Sequence, residues 1–190
     1  MFFKRVFCFL FFLTIVLSAS FCCAEEHAFY CYDVSKHGQI RYQYFVIGAS
    51  GRVIEDGYEW RFAPKSQYVT DKILALTFLS GPNVTYTRFY HLEDELISPT
   101  YSNVIMATEH FCIYTDMADN GKWFILIASL FDNEIAAEYE IDLAPVDGSI
   151  EAIEWSAENN GYRVTYISND DYQLKTETIL LPYQDETVSK

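Results

Sequence analysis

Residues 161–178 read GYRVTYISNDDYQLKTET, and this stretch decides the fold. Aromatic and β-branched residues occur on both sides of a short polar turn, which is typical of two strands joined as a β-hairpin. Residues 76–90 have the same plan, and residues 77–80 align with residues 165–168. The sequence therefore predicts a β-hairpin that occurs more than once.

The rest of the chain also has strand patterns. Residues 135–143 contain an Ala-Ala-Glu run that favours a helix, yet apolar and polar residues alternate there with period two, which predicts a half-buried strand. Residues 123–130 are apolar on both faces, as in a central strand covered on both sides. Turn residues recur roughly every 8–12 positions. We expect an all-β fold, an antiparallel meander of about twelve short strands with no helix of normal length.

Two architectures fit these strands. The offset between Thr77 and Thr165 is 88 residues, and half of it is close to the length of one propeller blade. This spacing predicts β-propeller-like repeats. However, a propeller needs at least about four blades, and a dozen strands form only about three. A β-sandwich is therefore the alternative.

Two motifs carry a family resemblance. Residues 153–156 read Ile-Glu-Trp-Ser, and residues 160–168 read Asn-Gly-Tyr-Arg-Val-Thr-Tyr-Ile-Ser. Their order resembles the Trp-Ser, Asp-Gly, Ile-x-Tyr-x-Ser rhythm of secreted Tol-type, WD-like β-propeller blades, although Asn160 stands where those blades usually carry Asp. Residues 119–123, Asp-Asn-Gly-Lys-Trp, are similar to the centre of the same blade. The resemblance covers about one blade and implies a scaffold that binds proteins or small ligands, rather than a reaction.

The N-terminal residues have the pattern of a secretory signal. The pair Lys4-Arg5 precedes an apolar run at residues 6–17, and small residues follow that run. The run is shorter than the roughly 20 residues of a transmembrane helix. We expect a signal peptide at residues 1–24 with cleavage after Ala24, and cleavage after Ser20 is the alternative.

The chain that remains after cleavage of the signal peptide has a simple predicted organisation. One all-β domain is predicted at residues 25–181, followed by a polar C-terminal tail at residues 182–190. A lipid anchor at Cys22 or Cys23 is an alternative, although the bulky Phe21 precedes the first of them. We therefore expect a secreted or periplasmic protein with no stable membrane insertion after the signal is cleaved.

The charge of the chain restricts its partners. The 27 acidic and 13 basic residues leave a formal net charge of −14. A chain this acidic repels phosphate backbones, so nucleic acid is not expected as a partner. The charge favours solubility, and attraction to a basic protein or to cations is the alternative interpretation.

Two cysteines lie beyond the predicted signal peptide, Cys31 and Cys112. An oxidising compartment allows them to form a disulfide. The alternative is two buried free thiols, since free cysteine is often a core residue.

No residue pattern predicts a cofactor. The four histidines are scattered, and the best metal candidate is His91 with Glu93 and Glu95. Residues 116–121 begin like a calcium loop, but Ala118 occupies a position that needs an oxygen ligand.

No catalytic residue is expected either. Glycoside hydrolysis needs two carboxyl groups held several Å apart, and the candidates are Glu55-Asp56 and residues 93–95. Adjacent acids on a strand point to opposite faces, so neither run predicts a catalytic pair.

The tyrosines are the remaining functional signal. A tyrosine either packs on a sheet or presents a ring and a hydroxyl to a ligand. The candidate ligand-binding residues are Tyr86, Tyr90, Tyr162, Tyr166 and Tyr172. The sequence thus predicts a non-catalytic binding domain for a protein, peptide or glycan. The alternatives are a hydrolase whose acids come from distant strands, and an assembly module that pairs through a sheet edge.

Overall fold

A computed structural model describes residues 28–81, 84–132, 134–145 and 149–181. The predicted signal peptide at residues 1–24 and the predicted tail at residues 182–190 lie outside the described residues. The described chain is all-β, as its alternating pattern predicted. No helix among the described residues is long and apolar enough to cross a membrane.

The strands follow one another with short connections. They are β1 (Phe29–Asp33), β2 (Tyr42–Ile47), β3 (Val53–Trp60), β4 (Lys65–Tyr68), β5 (Ile73–Leu79), β6 (Thr85–His91), β7 (Leu96–Ile97), β8 (Tyr101–Ser102), β9 (Val104–Ala107), β10 (Phe111–Met117), β11 (Trp123–Ser129), β12 (Ile135–Ile141), β13 (Ile150–Ser156), β14 (Gly161–Ile167) and β15 (Leu174–Leu180).

These strands form four antiparallel sheets in chain order. Sheet 1 has the order β1-β2-β3, and sheet 4 has the order β13-β14-β15. Sheet 2 has the order β4-β5-β6-β7, with β8 also pairing with β6, and sheet 3 has the order β12-β11-β10-β9. The strand count exceeds the prediction mainly because β4 and β8 form. All four residues of β4 are exposed and show no apolar alternation, so its strand conformation comes from pairing with β5 rather than from its own pattern.

The four sheets stack in the same order and share three buried interfaces. The interface between sheets 1 and 2 contains Leu76, and the interface between sheets 2 and 3 contains Phe89. The interface between sheets 3 and 4 contains Ile127. Burial of these aliphatic and aromatic side chains is the main favourable contribution to the stack.

Sheets 2 and 3 are covered on both faces, because alternate residues of one strand face different neighbours. In β5, Leu74 and Leu76 pack against sheet 1, whereas Ile73 and Ala75 pack against sheet 3. β11 is divided in the same way, as its apolar run predicted. Among the described residues no buried cluster joins sheet 4 to sheet 1, so the outer faces of those two sheets end the stack.

The two aligned segments lie at corresponding places. Thr77 is in β5 and Thr165 is in β14, and each of these strands is flanked on both sides in its sheet. The Thr77 hydroxyl lies 3.1 Å from the Thr87 hydroxyl, and the Thr165 hydroxyl lies 3.0 Å from the Thr176 hydroxyl. The descent of both hairpins from one repeated unit stays a prediction.

Both cysteines are free thiols in this structure. Cys112 is 0% exposed in the interface between sheets 2 and 3, whereas Cys31 is half-buried beside the interface between sheets 1 and 2. Burial raises the pKa of Cys112 to about 12 and also raises the pKa of Cys31. The two thiols therefore belong to different interfaces.

We expect iodoacetamide to label Cys31 in the native protein and to label Cys112 only after unfolding. The thiolate is the reactive form of a cysteine. Cys112 is buried, so the reagent cannot reach its sulfur, and the raised pKa keeps the thiol protonated at neutral pH. Peptide mass spectrometry of native and urea-unfolded samples, without reductant, measures each site separately. Equal labelling of both native sites would contradict the packing, and a disulfide-linked peptide pair would contradict the free thiols.

Candidate functional site

The five predicted binding tyrosines do not form one surface. Tyr90 is buried between sheets 1 and 2, and Tyr162 and Tyr166 are buried between sheets 3 and 4. Only Tyr86, 38% exposed on sheet 2, and Tyr172, 61% exposed in the β14–β15 turn, reach solvent substantially. The structure therefore places three of the five in the core and the other two on different sheets.

The adjacent acids Glu55 and Asp56 point to opposite faces of β3, as the strand pattern predicted. Glu55 points between sheets 1 and 2, where it accepts hydrogen bonds from the Tyr44 hydroxyl at 3.0 Å and the Tyr90 hydroxyl at 2.5 Å. Arg88 lies 2.5 Å from the same carboxylate. Burial, together with Glu55, raises the pKa of both phenols, so they remain donors. Glu55 is an anchor that joins two sheets.

The proposed metal candidates have other partners. Glu93 pairs with Lys72 at 2.9 Å, and Glu95 pairs with Arg52 at 2.7 Å. His91 accepts a hydrogen bond from the backbone amide of Asp94. In the part of the chain that the structure describes, no group of three or more metal-binding side chains is present.

A cleft lies between sheets 3 and 4, and we name it the Trp123 cleft. Its volume is about 560 Å³, within the range of roughly 300–1,000 Å³ that is usual for small-ligand sites. Its apolar floor overlaps the core, whereas its rim is polar. The floor residues are Trp123, Ile141, Leu143 and Tyr166, and the rim residues are Lys122, Glu140, Asp142, Asn169, Lys175 and Glu177.

The rim contains two charged residues that the strand pattern places inward. Ile179 of β15 is buried against sheet 3, and Glu177 and Lys175 follow on the same face. The buried Tyr166 hydroxyl donates a hydrogen bond to Glu177 at 2.8 Å. The Lys175 ammonium group lies 3.7 Å from the Asp142 carboxylate. Charged side chains thus occupy positions that would be apolar if the two sheets met there.

Asp142 is held by the segment that faces it. Its carboxylate accepts hydrogen bonds from the Ser168 hydroxyl at 2.6 Å and from the Asp170 backbone amide at 3.0 Å. The hydrogen bond from Ser168 is the largest cause that lowers the pKa of Asp142 below its usual value, and the Asp170 amide and the nearby Lys175 lower it further. The backbone around it is also fixed, because Leu143 pairs with Ser168. The carboxylate is therefore ionised and oriented at neutral pH.

Comparisons with known proteins assign no family to this chain. No family model, no curated protein and no solved structure matches the chain. The resemblance to propeller blades, which included Trp123 and Tyr166, accordingly stays a prediction.

The Trp123 cleft can offer several interactions to one ligand. Asp142 and Glu177 are hydrogen-bond acceptors, Lys175 is a donor, and Trp123 is a flat apolar wall. Sequence reasoning named Tyr166 but missed the rest of this site, because its rim comes from β12, β15 and the segments beside them. The charged residues Lys175 and Glu177, which alternate with Leu174, Thr176 and Thr178 along β15, are the sequence signal that could have indicated the rim.

Proposed function

We propose that this protein is a secreted or periplasmic, non-catalytic binding domain whose ligand is a neutral saccharide held in the Trp123 cleft. The observation that carries the proposal is the combination of an aromatic wall with acceptors that are oriented in advance. Preorganised polar groups on an apolar floor are the usual composition of a small-ligand site. Export is supported by the N-terminal sequence pattern.

The charges of the rim favour a neutral ligand. Lys122 lies 2.6 Å from Glu140, and Lys175 lies 3.7 Å from Asp142, so positive and negative groups are already paired. A strongly charged ligand would have to separate one of these pairs. A sugar ring presents a C–H face that can pack on Trp123, and its hydroxyl groups both donate and accept hydrogen bonds.

The carboxyl groups support binding over hydrolysis. A general acid in glycoside hydrolysis needs a raised pKa. In the cleft, the hydrogen bond from the Ser168 hydroxyl and the one from the Asp170 amide instead lower the pKa of Asp142. Asp142 therefore acts as a hydrogen-bond acceptor in this proposal.

Isothermal titration with glucose, galactose, mannose, N-acetylglucosamine and their disaccharides tests the proposal. We expect saturable binding of at least one saccharide and a loss of about tenfold in affinity for Glu177→Gln. Glutamine keeps an acceptor for Tyr166, so the fold should be preserved. Glu154→Gln on the outer face of sheet 4 is the control and should bind like the wild type. The proposal would be refuted if the wild-type protein showed no saturable saccharide binding, or if Glu177→Gln and Glu154→Gln bound with equal affinity.

We also propose that the four sheets are blade-like repeats of the propeller type. The support is the corresponding placement of Thr77 and Thr165, each with a threonine on the next strand. An experimental structure in which these two residues occupied non-corresponding strands would contradict this proposal.

A further inference from the structure

The outer face of sheet 1 is aromatic, and none of the buried clusters of the described residues includes it. Phe29, Cys31 and Tyr44 pack towards sheet 2, so the alternate residues of β1 and β2 point away from it. Tyr32 is 53% exposed there and Tyr58 of β3 is 65% exposed. We name this surface the aromatic face, and it consists of Tyr30, Tyr32, Gln43, Phe45, Asp56 and Tyr58.

The opposite end of the stack is more polar, although it is not free of apolar groups. On the outer face of sheet 4, Arg163 pairs with Glu154 at 3.0 Å, and Thr165 shares a hydrogen bond with Thr176. The exposed Leu174 and Leu180 lie on the same face of β15 as Thr176. Terminal layers of stacked structures need such a polar outer face to remain soluble. The aromatic face is less polar, because the edge-to-face rings of Tyr32 and Phe45 lie beside its Gln43–Asp56 hydrogen bond. An exposed aromatic surface of this kind indicates an interaction site.

The charge of the molecule is divided unevenly along the stack. Residues 25–103, which contain sheets 1 and 2, have seven basic and ten acidic residues, a formal charge of −3. Residues 104–190, which contain sheets 3 and 4, have four basic and seventeen acidic residues, a formal charge of −13. Two copies can therefore approach each other without strong repulsion only through the sheet 1 end.

We propose that the aromatic face binds a second copy of this chain and forms a two-fold symmetric homodimer. Packed sheets lie about 10 Å apart, so the two copies of sheet 3 would be about 50 Å apart. That separation exceeds the Debye length of about 8 Å at physiological salt several times, so the acidic halves do not repel each other. A two-fold contact also needs one self-complementary patch, which tyrosine rings and hydroxyl groups provide.

The size of the aromatic face sets the strength of this dimer. Three strands about 4.8 Å apart, each about 20 Å long, give a footprint of roughly 300 Å² per copy. A stable interface buries about 800 Å² per partner, so the dimer is weak and reversible. The contact is independent of the saccharide proposal, since the Trp123 cleft lies between sheets 3 and 4 and stays open.

Sedimentation equilibrium of the purified protein from about 1 μM to about 500 μM tests the proposal. We expect the average mass to rise with concentration and to level off at twice the monomer mass. Raising the salt to about 1 M should leave the association unchanged or strengthen it, because its source is apolar burial and the remaining repulsion is screened.

The double variant Tyr32→Ser/Tyr58→Ser should weaken the association at least tenfold. Both side chains are more than half exposed, so the variant should retain the wild-type circular dichroism spectrum. The control Tyr172→Ser/Leu174→Ser removes two equally exposed apolar side chains at the sheet 4 end, and it should dimerise like the wild type.

Three outcomes would overturn the dimer. The first is a wild-type protein that remains monomeric up to about 500 μM. This result would overturn the dimer even if the aromatic face bound a different partner. The second is a mass that rises beyond the dimer, which would indicate an open, head-to-tail contact. The third is equal weakening by the sheet 1 variant and the sheet 4 control.

Discussion

Replacing Glu55 with alanine is expected to lower the free energy of unfolding by about 3 kcal/mol. The carboxylate accepts hydrogen bonds from Tyr44 and Tyr90 and pairs with Arg88 between sheets 1 and 2. Its removal leaves two buried hydroxyl groups without this acceptor and removes the carboxylate that pairs with the Arg88 guanidinium group, which keeps its hydrogen bond to Thr100. Breaking a buried ion pair from one side costs about 3–5 kcal/mol. We take the lower part of this range, because Arg88 is partly exposed.

Urea denaturation followed by tyrosine and tryptophan fluorescence measures the Glu55→Ala effect. The transition midpoint should fall without a change in the slope, since the surface exposed on unfolding is nearly the same. Glu154→Ala is the matched control, because it breaks the exposed Glu154–Arg163 pair and should cost less than about 1 kcal/mol. Equal losses for the two variants would show that Glu55 is not a buried anchor.

Replacing Gly161 with alanine is expected to cost about 3 kcal/mol or more. A Cβ atom at this position would lie 2.3 Å from the backbone oxygen of Ile179. Gly161 pairs with Leu180 in the β14–β15 ladder, so the clash involves backbone and no side-chain rotation can relieve it. The strands must separate at this point, and the buried Ile179 moves with them. Such overpacking is among the few mechanisms with large single-residue effects.

Gly81→Ala is the matched control for this substitution, because a Cβ atom there meets nothing within 4 Å. Its effect on the unfolding free energy should be within about 0.5 kcal/mol of zero. Hydrogen exchange gives a second measurement, since the amides of β15 should lose protection in Gly161→Ala and keep it in Gly81→Ala. Wild-type stability of Gly161→Ala would contradict the close approach of β14 and β15 at Gly161.

The strands were largely predictable from local pattern. β12 formed despite its alanines, because its apolar residues recur with period two and cannot all lie on one face of a helix. β4 was not predictable, since its four exposed residues have no apolar alternation and become a strand only beside β5.

The tyrosines show where local pattern stops being informative. Alternation separates the two faces of a strand, but it does not say which face another sheet will cover. Tyr90 packs between sheets 1 and 2 and Tyr166 forms part of the floor of the Trp123 cleft, whereas Tyr32 and Tyr58, which the sequence did not single out, are more than half exposed.

The sequence by itself determined the all-β class, most strand positions and the opposite orientation of Glu55 and Asp56. These follow from backbone preferences and from the two-residue period of a strand, which act between near neighbours. Only the tertiary structure decided which faces are buried, where Glu55 finds its partners and where the Trp123 cleft lies. The reason is that sheets pack through non-directional apolar burial between distant segments, and the outcome depends on all the faces present at once.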